Sequence, residues 1–132
     1  MKPLTNAAAV VLALLISAGT TFAQNGPDDL TKARLAAVEG DHVTCAKLAD
    51  KARRQPNTVW QAHQVFASCQ AYVMEAKREK IPAADYISGL SQSVDALQFL
   101  LETPGLVNNN EQRASIMFVI EEFERRIQSA RG

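Results

Sequence analysis

Two histidines and two cysteines are the residues of this chain whose types could do chemistry. His42 precedes Cys45 by three residues, and His63 precedes Cys69 by six. Two imidazoles and two thiolates can supply the four ligands of a structural zinc site. A thiolate beside an imidazole is also a candidate nucleophile. The four residues therefore raise two interpretations, a metal site and a small thiol enzyme.

The spacing of these residues disfavours both kinds of chemistry. The Cys-x-x-Cys pair of most zinc sites and redox motifs is missing, and on a helix His63 points about 120° away from Cys69. A Gly-x-Ser-x-Gly nucleophile motif is missing as well. We therefore predict no metal, no cofactor and no catalytic residue, with a partly exposed His42 and a packed His63. A metal-dependent or thiol enzyme that uses His42, Cys45, His63 and Cys69 is the alternative.

The N-terminal segment decides what the two cysteines do. Lys2 is followed by an apolar run over residues 7–16, and residues 21–23 end in the small residue Ala23. This pattern predicts a secretory signal at residues 1–23, cleaved between Ala23 and Gln24, and a periplasmic or secreted protein. The apolar run has about 10 residues, and a membrane-spanning helix needs about 20. We therefore expect a soluble mature chain without stable membrane insertion.

Export predicts that Cys45 and Cys69 form a disulfide, because cysteines normally pair in an oxidising compartment. The bridge would close a loop of about 25 residues and contribute about 3 kcal/mol to the free energy of unfolding. Bonding the two sulfurs also removes the thiolates that the metal and enzyme interpretations need.

The composition after the signal indicates a single small helical domain at residues 24–132. These 109 residues carry 13 basic and 14 acidic side chains, and this near-neutral balance argues against binding to nucleic acid. Few aromatic residues and many Ala, Leu, Gln, Glu, Lys and Arg residues are typical of amphipathic helices.

Apolar residues recur at helical spacing in five segments. The predicted helices start at Asp28 or Asp29, at Asp41, at Asn57 or Thr58, at Pro82, and within Asn108 to Asn110; they end at Gly40, Pro56, Lys80, Thr103 and Ser129. The three linkers between the first four helices have only two or three residues, so these helices are expected to pair as antiparallel hairpins. The fold class is therefore all-α, as a small helical bundle or a short repeat stack with one disulfide.

The segment from Gly40 to Asn57 resembles the second half of a tetratricopeptide repeat, or of the related Sel1-like repeat. Gly40-Asp41, Cys45, Lys51-Ala52 and Pro56-Asn57 follow the order of the Gly-Asp turn, small residue, Lys-Ala pair and Pro-Asn exit of that family. The resemblance covers less than a third of the mature chain. It implies stacked helical hairpins.

A second segment, Cys69-Gln70-Ala71-Tyr72-Val73, is similar to one in small periplasmic immunity proteins, which neutralise secreted antibacterial toxins. Some of those proteins are helical and disulfide-bonded, with a cysteine shortly before a Tyr-Val or Tyr-Ile pair. This similarity implies an exported inhibitor that acts by binding a toxin.

These observations together predict a non-enzymatic exported protein that binds another protein, as an adaptor, an inhibitor or an immunity protein. A periplasmic chaperone or stress protein is a further alternative. Trp60, near the start of the third helix, is expected by default to pack in the core or between paired helices. If it is exposed beside Tyr86 or Phe99, we expect it to anchor the partner. The sequence does not indicate the partner's identity, the binding face or the oligomeric state.

Overall fold

The computed structural model describes residues 28–132, so the predicted signal segment and its cleavage point lie outside the described residues. Five α-helices follow one another in this range, and the range contains no strand: α1 Asp29–Val38, α2 His42–Arg53, α3 Trp60–Lys77, α4 Ala83–Glu102 and α5 Asn110–Arg131. The predicted all-α fold with five helices is confirmed.

Side-chain caps begin three of the helices at the predicted places. The Asp28 carboxylate accepts a hydrogen bond from the backbone N–H of Thr31, and the Asp41 carboxylate accepts one from Thr44. The Asn109 side chain accepts two backbone N–H bonds at the start of α5. These bonds satisfy amide groups that the first turn of a helix leaves unpaired, which fixes where each helix begins.

The starts of α3 and α4 differ from the prediction. Val59 is the N-cap of α3 and makes no side-chain hydrogen bond. Neither predicted cap is in place, because Asn57 has a φ of 59° in the turn and the Thr58 hydroxyl donates to a carbonyl at the end of α2. Pro82 is the N-cap of α4 rather than its first helical residue. Because α2 ends at Arg53 and α3 ends at Lys77, earlier than predicted, two connections are longer than the expected two or three residues. Residues 54–59 join α2 to α3, and residues 78–82 join α3 to α4.

Each helix packs against the next one along the chain, and α1 also contacts α3. The contacts between α3 and α4 show the antiparallel direction. The Ser93 hydroxyl donates to the carbonyl of Ala67 at 2.9 Å, whereas the Tyr86 hydroxyl, earlier in α4, donates to the carboxylate of Glu75, later in α3. The predicted antiparallel pairing of α3 and α4 is thus present.

The size of the buried side chains differs between the two ends of the core. Buried residues of α1 and α2 are small: Ala33, Ala36, Cys45, Ala46, Ala49 and Ala52. Buried residues of α4 and α5 include many large ones: Tyr86, Leu90, Val94, Leu97, Leu100, Ile116, Ile120, Phe123 and Ile127. Small side chains let helix axes approach closely and large ones hold them apart. This difference explains why α1 reaches α3 while α5 remains farther from it.

The predicted disulfide joins α2 to α3. The Sγ atoms of Cys45 and Cys69 are bonded, their Cα atoms are 6.0 Å apart, and both side chains are buried. The bridge therefore links two helices that also pack through small side chains.

The two longest helices have polar faces. α4 has 20 residues and α5 has 22, which is enough length to span a bilayer. Charged and amide side chains along both helices keep their mean hydropathy low. In residues 28–132, no helix is both long enough and apolar enough to cross a membrane.

Candidate binding groove

A groove lies between α3 and α5, with α4 beneath it. No Cα atom of α5 comes within 8 Å of a Cα atom of α3, and the gap contains a cavity of about 440 Å³. Apolar side chains from all three helices line its inner surface: Trp60, Ala67, Leu97, Ile116, Val119 and Phe123. A concave site of this size with an apolar floor is typical of a binding site.

Neutral polar side chains form most of the groove's rim. Amide and hydroxyl groups come from α3 and from the start of α5: Gln64, Ser68, Asn109, Gln112 and Ser115. Glu111 is the one charged residue in the lining. Amides and hydroxyls can donate and accept hydrogen bonds, so the groove suits apolar side chains and the uncharged backbone of a peptide. It does not suit a phosphate or another strongly anionic ligand.

A cluster of polar side chains joins α3, α4 and α5 at the other end of α3 from Trp60. A carboxylate oxygen of Glu75 lies 3.4 Å from a guanidinium nitrogen of Arg126, and the same oxygen accepts the hydrogen bond from Tyr86. Arg126 also pairs with Glu122 on its own helix at 3.2 Å. The groove is therefore open along the N-terminal halves of α3 and α5, and the two helices are linked near their C-terminal ends.

The surroundings of Tyr86 and Glu122 determine the protonation states of these two side chains at neutral pH. Burial, followed by the hydrogen bond to Glu75, raises the pKa of Tyr86 to about 12, so the phenol remains a hydrogen-bond donor. The guanidinium of Arg125, followed by that of Arg126, lowers the pKa of the Glu122 carboxyl through hydrogen bonds. The carboxylate of Glu122 consequently stays ionised and orients both arginines.

The structure separates the three residues predicted to anchor a partner. Trp60 is half-buried and lines the groove. Tyr86 is only 1% exposed because it packs under Arg78 and bonds to Glu75, which corrects the expectation that it lies on a binding surface. Phe99 is 46% exposed but lies outside the groove lining. Of the three, only Trp60 lies in the groove.

The histidines and cysteines do not form a common site. Both sulfurs are in the disulfide, so neither can be a thiolate. His42 is half-buried and stacks on Tyr72, with ring centroids 4.3 Å apart, and His63 is buried and stacks on Phe99 at 4.8 Å. Within residues 28–132, no three His, Cys, Asp or Glu side chains gather closely enough to hold a metal ion.

His63 is a buried polar residue whose two ring nitrogens have no hydrogen-bond partner in the described residues. Burial, followed by the positive charge of Arg53, lowers the pKa of His63. Protonation would place an unpaired charge among apolar side chains, which is unfavourable. His63 is therefore neutral at pH 7 and packs as an aromatic ring.

The sequence interpretation missed an exposed aromatic residue on α5. Phe118 is 66% exposed, and its neighbours Met117 and Val119 are also exposed. Because each residue turns a helix by about 100°, Val119 points into the groove, Phe118 away from the core and Met117 toward the opposite side. The sequence pattern does indicate that Phe118 is exposed, because the buried stripe of α5 is complete without it. The residues of that stripe are Ile116, Ile120, Phe123 and Ile127.

Comparisons of this chain with protein-family models, with curated proteins and with solved structures find no match. The resemblances to tetratricopeptide repeats and to periplasmic immunity proteins therefore stay predictions.

Proposed function

We propose that this protein is an exported, non-enzymatic scaffold that binds another protein in the groove between α3 and α5. One observation carries the proposal: the gap of about 440 Å³ with an apolar floor and walls that are polar and, apart from Glu111, neutral. A partner would cover apolar surface there that water otherwise contacts, which favours association. The role would be that of an adaptor or an inhibitor, including an immunity-type inhibitor.

The chemistry of the groove supports a binding role over a catalytic one. Its lining contains two serines, Ser68 and Ser115, and neither has a histidine beside it in the lining. A serine nucleophile needs an adjacent base, and a thiol nucleophile needs a free sulfur. The disulfide between Cys45 and Cys69 occupies both sulfurs. The disulfide also supports the proposed export, because disulfides persist in oxidising compartments.

The shape of the groove favours a helical segment of the partner. α3 and α5 both pack on α4, and Glu75 and Arg126, each near the C-terminal end of its helix, meet beside Tyr86 at the start of α4. The two helices therefore run in the same direction. A further helix laid between them would complete a four-helix arrangement, as amphipathic helices do when they bind in grooves. We expect its apolar side to lie over Leu97 and its flanks to bond to the amides of the rim.

Trp60 provides a direct signal of groove occupancy. It is the only tryptophan in the chain and it lines the groove. Binding of a partner should remove water from one face of the indole and move its fluorescence emission to shorter wavelength. The emission of the free protein and of the complex can therefore be compared without a label.

The test uses a matched pair of substitutions, Gln64→Arg and Gln128→Arg. Both glutamines are exposed on helices, but Gln64 lines the groove and Gln128 does not. The oxidised mature protein and the two variants are each immobilised and exposed to extract from the exported fraction. We expect the wild type and Gln128→Arg to retain the same stoichiometric partner and Gln64→Arg to lose it. The purified partner should then shift the Trp60 emission.

Two results would contradict the proposal. Retention of the partner by all three proteins, with unchanged Trp60 emission, would place binding elsewhere on the surface. Recovery of nothing above background by any of them would argue against a protein-binding role. Circular dichroism of each variant checks that the substituted chains keep their helical content.

A further inference from the structure

The side of α5 that points away from the core carries a regular set of residues. We call Glu111, Ala114, Phe118, Glu121 and Arg125 the α5 outer face, and all five are exposed. Three of them are seven residues apart, and seven residues turn a helix by about two full turns. Glu111, Phe118 and Arg125 therefore lie almost on one line along the helix, with about 10 Å between successive members.

The centre of this face is an aromatic side chain with nothing over it in the described chain. Phe118 is 66% exposed, the largest exposed fraction among the large apolar side chains of residues 28–132. Among the helices, α5 packs only against α4, so its outer face is open along its whole length. An exposed aromatic residue at the centre of a polar rim is the usual arrangement of an interaction site.

Glu111 and Arg125, the two outermost charges of the α5 outer face, lie at equal distances on either side of Phe118. Glu111 lies seven residues before the aromatic ring and Arg125 lies seven residues after it. Turning the helix end for end about Phe118 therefore puts an acidic residue where a basic one was, and the reverse. The face is thus complementary to an inverted copy of itself at these two positions, and the third charge, Glu121, lies opposite the uncharged Ser115.

From this complementarity we infer that the α5 outer face binds the α5 outer face of a second copy of this chain. The two helices lie antiparallel, with the two Phe118 rings in contact at the two-fold axis. Glu111 of each copy faces Arg125 of the other, which gives two equivalent ion pairs, as a two-fold interface requires. The pairing goes beyond the proposed function, and the two surfaces share only Glu111, which also lines the groove.

The neighbouring residues agree with the antiparallel arrangement. Ala114 and Ser115, one turn before Phe118, are small and leave room for the longer Glu121 and Glu122 of the other copy. A parallel arrangement would instead place Glu111 against Glu111 and Arg125 against Arg125, and like charges in contact repel. Arg125 already bonds to Glu122 on its own helix, and a guanidinium has enough donors to bind a second carboxylate.

Charge reversal tests the pairing. We expect the oxidised mature protein to sediment as a concentration-dependent dimer, and Phe118→Ser to sediment as a monomer. Glu111→Arg and Arg125→Glu should each raise the dissociation constant about tenfold or more, because each substitution turns two attractive pairs into two repulsive ones. The double variant Glu111→Arg/Arg125→Glu restores opposite charges across the interface and should recover most of the wild-type affinity.

Two further charge reversals serve as matched controls. Glu124→Arg and Arg131→Glu change exposed charges of the same signs on α5, on a side about 120° from Phe118. They should leave the dissociation constant within about twofold of the wild type. Circular dichroism and thermal unfolding at a concentration where the chain is monomeric separate loss of association from loss of folding.

Each other outcome overturns the inference. A wild type that stays monomeric up to millimolar concentration excludes a second copy as the occupant. If Phe118→Ser then also abolishes capture of a different protein, the face binds a heterologous partner instead. A dimer that responds to neither single charge reversal, or that the double variant does not rescue, is formed by another surface.

Discussion

Two sets of three helices share α3 and differ in how their outer helices meet. In the disulfide-linked half, α1, α2 and α3 all contact one another, and Cys45 is bonded to Cys69. In the open half, α3 and α5 both pack on α4 but not on each other, apart from the pairing of Glu75 with Arg126. The same chain thus contains a closed and an open version of one three-helix arrangement.

The size of the buried side chains sets whether such a three-helix arrangement closes. Alanine dominates the buried faces of α1 and α2, and leucine, isoleucine and phenylalanine are common on those of α4 and α5. Large side chains on the middle helix spread its two neighbours, and the resulting gap is the groove. The open half therefore has a concave surface because its outer helices, α3 and α5, do not pack directly on each other.

Removing the disulfide should have the largest effect and would show how much the closed half depends on it. The double variant Cys45→Ala/Cys69→Ala is expected to lower the free energy of unfolding by about 3 kcal/mol, because the unfolded chain regains the entropy of a loop of about 25 residues. Urea unfolding followed by circular dichroism measures the change. A loss below about 1 kcal/mol would mean that the small-residue packing alone holds this half together. The single variant Cys45→Ala, which leaves one thiol, should lose a similar amount.

A glycine in α4 should show the next largest effect, at the contact of α4 with α3. A Cβ atom added at Gly89 would overlap the sulfur of Met74, so Gly89→Ala forces that side chain to move. Overpacking of this kind costs about 1–3 kcal/mol, and the better helix propensity of alanine returns about 1 kcal/mol. We expect Gly89→Ala to lower the free energy of unfolding by about 1 kcal/mol.

The double variant Met74→Ala/Gly89→Ala is the control for that contact. It removes the side chain that the new methyl group would meet, so its loss should be smaller than the sum of the losses of the two single variants. Stabilisation by Gly89→Ala alone would contradict the expectation. It would indicate that α3 and α4 pack loosely enough near Met74 to admit the added methyl group.

His63 lies where the two halves meet, and it should give the smallest effect. Its ring stacks on Phe99 of α4 and lies close enough to Arg53 of α2 to be affected by its charge. Because folding lowers the pKa of His63 below its ordinary value of 6.5, the unfolded chain binds a proton more readily than the folded one. The free energy of unfolding should therefore fall as the pH decreases below about 6.5, and be fully restored above it.

Urea unfolding at several pH values between 5 and 7.5 measures this slope, in a range where most carboxylates are already ionised. The variant His63→Phe keeps an aromatic ring against Phe99 and cannot be protonated, so its slope should be smaller than that of the wild type. An equal slope in the two proteins would show that another group carries the pH dependence.

The helices and the disulfide could be predicted from the sequence because their determinants are local. Apolar residues at helical spacing define five segments, and Asp28, Asp41 and Asn109 cap three of them as expected. The prediction of an oxidising compartment was sufficient to predict that the two cysteines form a disulfide. The starts of α3 and α4 were misplaced, since Thr58 uses its hydroxyl on the preceding helix and Pro82 is the N-cap of α4 rather than its first residue.

The groove could not be predicted, because it depends on distances between helices that are not adjacent in sequence. Trp60 lines it, but its companions Gln64 and Ser115 have no special spacing or chemistry of their own. Tyr86 was expected at the surface, and its burial depends on the meeting of Glu75 and Arg126 across the core. Such positions follow from the sum of many packing contacts rather than from any local pattern.

The packing of each helix on its successor also affects how the chain folds. The loop closed by the disulfide lies within two consecutive helices, and the contact between α1 and α3 spans only three elements. Contacts that are short in sequence need little loop closure before they form, and chains dominated by them fold in microseconds to milliseconds. The helices α1 to α3 therefore complete their mutual contacts without any contribution from α5.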